Sequence, residues 1–149
     1  MKVTADIAID GSRDDVWSVI TDIENWTSMI TNIIRIRILN RPDDGIGGME
    51  WLETRCMFGV EATETLQVTD LVENQYYCSR CERSDAVIKT KFSLSEHHGK
   101  TLLTISIGAE PQTSFSRTLS FCMGPIIKSA VMKELQQDLA DIKKQVEVG

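Results

Sequence analysis

Polar and apolar residues alternate through VTADIAI (3–9), the period-two signature of a half-buried strand. The period then lengthens. In SRDDVWSVI, Val16, Trp17 and Ile20 fall on one helical face. Ser12 can cap that helix, and Asp15 stands where a capping partner belongs. NWTSMI can make another short helical turn. IIRIRIL then sets Ile34, Ile36 and Ile38 against Arg35 and Arg37, a second half-buried strand with its charges in water.

NRPDDGIGG is the strongest loop signal in the chain. A glycine-rich loop can cradle phosphate when a helix follows it, but MEWLETRCMF reads as a strand, so this is a turn. Further strand-like segments cover 49–58, 60–71, 75–83, 85–95 and 101–110. Gly59, Asn74 and HHGK separate them, and the close spacing predicts antiparallel hairpins. From 113 onward Ile127, Val131, Leu135, Leu139, Ile142 and Val146 recur at three- and four-residue steps, the stripe of a long amphipathic helix. Lys133, Glu134, Gln136, Gln137, Asp141 and Lys144 take its other faces. Gly124 and Pro125 interrupt the pattern, so a segment 114–123 is expected to join a main helix that starts at Pro125.

The predicted class is α+β: a curved antiparallel sheet of about seven strands, two short helices after the first strand, and a long C-terminal helix covering the apolar face. Residues 1–149 suit a single domain. A sheet that curls around a helix can leave a space between them, and such spaces bind small apolar ligands.

Charge narrows the partners. A net charge of -6 argues against nucleic acid and against an anionic membrane surface. MKVTADIAID alternates in polarity instead of forming an apolar leader, and no apolar run is long enough to span a bilayer. A soluble, cytoplasmic protein is expected. Cys78 and Cys81 form a C-x-x-C on a strand, and Cys56 and Cys122 stand alone, which predicts reduced cysteines and no metal site. His97 and His98 lie in a turn without acidic or thiol partners and should face solvent. No cofactor is called for.

The element order and three stretches resemble the START-like superfamily, also called SRPBCC, with its helix-grip fold, in the polyketide cyclase/dehydrase and lipid-transport branch. VWSVITDIENW is similar to the family's helix followed by Asp and Trp, here Asp22 and Trp26. GIGGMEWLETRCMFGVEATETLQVTDLVENQYY is similar to its Gly-marked hairpin with a Glu on the following strand, here Glu64. VMKELQQDLADIKKQVE is similar to its closing helix. The resemblance implies that the short helices form a V edging a cavity. Trp17 then serves as a packing prop, and Trp26 both props the V and borders the space.

Strand parity points to the cavity wall. If Gly59 belongs to a two-residue hairpin loop, Trp51, Glu53, Arg55 and Met57 share a face with Ala62, Glu64, Leu66 and Val68. Glu61, Thr63, Thr65, Gln67 and Thr69 form the wet face. Arg55 and Glu64 are then opposite or diagonal, either as a structural salt bridge or as a polar pair offered to a ligand. Alternation adds Ile88, Thr90, Phe92, Leu103, Ile105 and Ile107. From the C-terminal helical region, Phe121, Met123, Ile126 and Ala130 are placed near the mouth.

The leading functional expectation is binding or transport of a small hydrophobic molecule, such as a lipid, quinone or polyketide-like compound. The alternatives are a cyclase or aromatase working through Glu53, Arg55 or Glu64, and a protein-interaction module. No inward histidine or tyrosine pair supports the enzyme. The Thr-rich outer face of 60–71 speaks against the interaction module.

Overall fold

The computed structural model describes residues 1–148. After β1 (Lys2–Ile9) come α1 (Arg13–Ile20) and a short 3₁₀ helix (Ile23–Ser28). The strands β2 (Ile33–Asn40), β3 (Glu50–Met57), β4 (Val60–Val72), β5 (Tyr76–Glu82), β6 (Ala86–His97) and β7 (Lys100–Pro111) follow, and α2 (Ser114–Val148) closes the chain. The sheet is antiparallel throughout, in the order β1-β7-β6-β5-β4-β3-β2. The first two strands therefore sit at opposite edges, and α1 with the 3₁₀ helix carries the chain from one edge to the other. This is the helix-grip arrangement.

Local chemistry sets the ends of these elements. Ser12 Oγ accepts the Asp15 amide at 3.1 Å and Asp15 Oδ2 accepts the Ser12 amide at 3.3 Å, the reciprocal box expected at this helix start. The β3–β4 hairpin turns on two residues, Phe58 and Gly59, both in the left-handed region (φ 53° and 77°). Met57 consequently pairs with Val60 and Trp51 with Leu66, the parity anticipated for a two-residue loop. At Gly11 an added Cβ would lie 2.8 Å from Val146 Cγ1, so any larger residue would force Val146 or the chain after β1 to shift.

Two expectations are corrected. Ile34 does not share the inward face with Ile36 and Ile38, because a bulge between Ile33 and Arg35 advances the parity by one. Ile33 is buried and Ile34 exposed. The second correction concerns Pro125, which starts no separate helix: α2 runs through it unbroken. A proline costs a helix one amide donor; the carbonyl left without it is that of Phe121, four residues back, and Phe121 is exposed, so water can serve it.

The core lies between the concave sheet face and the C-terminal half of α2. Val131, Leu135, Leu139 and Ile142 are buried against Val3, Ile9, Leu103, Ile105 and Trp51. His97 and His98 are exposed in the β6–β7 turn. The four cysteines are unpaired with one another. Among the described residues no helix is long and apolar enough to cross a membrane.

Candidate functional site: a cavity between sheet and helix

A cavity of about 300 Å³ lies between the sheet and the middle of α2. That is the lower end of the size range of small-molecule sites. Its inner end is aromatic. Trp26 meets Trp51 edge-on at 6.3 Å and leans on Phe92 at 6.1 Å, and Phe92 stacks on Tyr77 at 4.8 Å. Polar tips of these rings are satisfied behind the wall: Trp26 Nε1 donates to the Val19 carbonyl and Tyr77 Oη to that of Ile20. Trp17 packs edge-on against Tyr77 at 5.9 Å, a prop outside the cavity lining.

Sheet residues form one side of the space. Trp51, Arg55 and Met57 come from β3, and Glu64 and Leu66 from β4. Ile88, Thr90 and Phe92 reach in from β6 and Ile105 from β7, with Trp26 at the rim of the 3₁₀ helix. Period-two alternation put these side chains on one face, and the antiparallel register brings them together. The helix side is a correction. Phe121, Met123, Ile126 and Ala130 do not line the cavity, and Phe121 is 89% exposed. Gly124, Ile127, Val131, Glu134, Leu135 and Asp138 do so instead. Ile126 and Ala130 each stand one residue, 100° of helix, before the Ile127–Val131–Leu135 stripe and so turn off the cavity face, while the unbroken helix extends that stripe back to Gly124 and leaves Phe121 and Met123 off it.

The polar groups also pair differently from expectation. Arg55 does not bridge to Glu64. Its Nε lies 3.2 Å from Glu53 Oε2, and its Nη1 2.9 Å from Asp138 Oδ2. Glu53 Oε1 accepts the Trp51 indole N–H at 3.3 Å. Glu134, one turn before Asp138, accepts from Asn32 Nδ2 at 2.8 Å. Glu64 faces Arg83 at 3.1 Å and the Cys81 thiol at 3.3 Å, nearer the mouth. The register explains the exchange: Arg55 stands opposite Ala62 and Glu64 opposite Glu53, so the guanidinium extends toward α2.

Burial pushes the Asp138 carboxyl up to about 6 against the pull of Arg55, with Glu53 and Glu134 adding to the rise. Burial, reinforced by Glu64, likewise pushes the Cys81 thiol up to about 12. Two helix carboxylates of the site were missed: Glu134, expected on an outer face of α2, lines the cavity, and so does Asp138. The signal for Asp138 was a carboxylate three residues after Leu135 and seven after Val131, on the apolar stripe itself.

The sequence matches the family described as polyketide cyclase / dehydrase and lipid transport over residues 1–147. The chain belongs to that family. No curated protein sequence matches it. Among solved structures it is similar to a START superfamily protein from Mycobacterium smegmatis, at 18% identity and a TM-score of 0.82, covering 99% of this chain and 97% of that one. It is also similar to the Zhui aromatase/cyclase from Streptomyces sp. R1128, at 14% identity and a TM-score of 0.82, over 99% and 93% of the two chains. A protein from Thermus thermophilus, TTHA0849, shows the same fold at 11% identity and a TM-score of 0.82, over 99% and 98%. At such identities the likeness is one of fold.

Proposed function

We propose that this protein binds a small hydrophobic molecule in the cavity between the sheet and α2. One observation carries the reading: the space is walled by aromatic and aliphatic side chains, while its ionic groups gather at Arg55 and, nearer the mouth, at Glu64 and Arg83. An apolar body against Trp26, Trp51, Phe92, Ile105 and Leu66 gains roughly 25 cal/mol for each Å² it removes from water. The ligand's polar end then meets the Arg55 group. Met57, Ile88 and Thr90 complete the wall.

Titration with Nile red, an uncharged dye, tests this. Binding should saturate with a blue-shifted dye emission and quenching of Trp26 and Trp51. Gly124→Trp, which places a ring at the mouth, should abolish both. A dye that binds equally to wild type and variant would place it elsewhere on the surface and defeat the reading.

A second reading, cyclase-type chemistry, is favoured by the position of Asp138. A carboxyl with a pKa of about 6 beside a guanidinium can hold or release a proton near neutral pH, as general acid–base catalysis requires. On this reading Asp138 transfers the proton and Arg55 orients it, and Glu64, held by Arg83, takes no part. Cyclisation of a poly-β-ketone substrate that persists in Asp138→Asn would dismiss it.

A further inference from the structure

The ionic side chains around the cavity are unequal in sign. In the inner group Glu53 and Asp138 hold one cation, Arg55, and Glu134 stands beside Asp138 with no cation of its own within 4 Å among the described residues. At the mouth Glu64 and Asp85 share Arg83, at 3.1 and 3.6 Å. Five carboxylates thus face two guanidinium groups across the lining. The Met1 ammonium, which donates to the Ala109 carbonyl, still leaves the acids ahead.

Both guanidinium groups are already engaged by two carboxylates each, so neither has charge to spare for an anion. Glu134 and Asp138 are one turn apart on the cavity face of α2, a spacing at which like charges repel. Asn32 supplies Glu134 with a hydrogen bond but no charge. Low-dielectric walls strengthen each of these interactions relative to water.

We propose that the cavity is a charge filter: it prefers apolar molecules carrying a cationic nitrogen over uncharged ones, and rejects carboxylates. The amine would sit by Glu134 and Asp138, where it replaces the missing second cation. This deepens the binding reading above and rests on it.

Three ligands of one shape separate the outcomes: 2-naphthylmethylamine, 2-naphthylmethanol and 2-naphthoate, each displacing Nile red from the wild-type chain at pH 7.5 and low salt. The amine should bind at least about threefold tighter than the alcohol, and the carboxylate at least about tenfold weaker. In Glu134→Gln the ratio of amine to alcohol affinity should fall toward one. Naphthoate matching the alcohol, or an amine no tighter than the alcohol, overturns the filter and leaves the binding reading standing. If neither Nile red nor any naphthyl compound binds, the binding reading falls and the filter with it.

Discussion

Arg55 on β3 and Asp138 on α2, 83 residues apart, are joined Nη1 to Oδ2 at 2.9 Å across the cavity. With side chains only 17% and 12% exposed, this is a buried ion pair tying the sheet to the helix that covers it. The pair fixes how far α2 stands from the sheet at the point where the cavity ends.

Breaking it should be costly. Arg55→Met leaves Glu53 and Asp138 buried without their cation, and a stability loss of about 3–5 kcal/mol is expected from chemical denaturation. The double variant Arg55→Met with Asp138→Leu should recover much of that loss, because no carboxylate at 138 then remains to be stranded. A double variant as unstable as the single one would show that the pair does not act as a unit.

The pH dependence follows from the direction of the Asp138 shift. The carboxyl has a pKa of about 6 in the folded protein, above its usual 3.8. A group raised on folding binds its proton more tightly in the native state, so its stabilising contribution is full below 3.8 and is lost as pH rises through 6. Arg55 and Glu53 from β3 and Glu134 from α2 are the charged groups that face it. Thermal melting should therefore show a gain in Tm as pH falls from about 7.5 to about 5, and Asp138→Asn should flatten that slope.

Phe58 stands in the hairpin turn with φ 53°, a left-handed conformation that a bulky side chain adopts at a cost. It is also 56% exposed, so little burial offsets that cost. Phe58→Asn should stabilise the chain by about 1 kcal/mol, or roughly 2–4 °C in Tm. If Nile red affinity falls in the same variant, the ring at the mouth serves binding and the strain is kept for it.

Gly124 faces the cavity on α2, and an added Cβ there meets nothing within 4 Å. Gly124→Leu should raise stability by up to about 1 kcal/mol through helix propensity. It should also reduce Nile red binding by narrowing the space. Opposite signs in the two measurements are the expected result; a loss of both would mean that the helix depends on glycine there.

Much of this protein was legible in its sequence. The period-two runs, the turn marked by Gly59, the capping box at Ser12 and Asp15, and the stripe from Ile127 to Val146 all report short-range chemistry. Register follows from such turns, so the wall containing Trp51, Arg55, Met57, Glu64 and Leu66 could be read from parity once a two-residue loop at Gly59 was assumed, the condition the structure meets. The bulge after Ile33 left no comparable mark, because IIRIRIL fits two registers equally well.

Where elements meet, only the tertiary structure decided. The sequence placed Arg55 on the concave face but could not say which carboxylate it would meet, since Glu53, Glu64 and Asp138 were all within reach of some packing. That choice depended on the rotation of α2 about its own axis. The rotation is set by the burial of Val131, Leu135, Leu139 and Ile142 against the sheet, while Pro125 bears only on where the residues before it point. Local patterns determine what each segment is; the angle at which one segment faces another is set by the packing of all of them together.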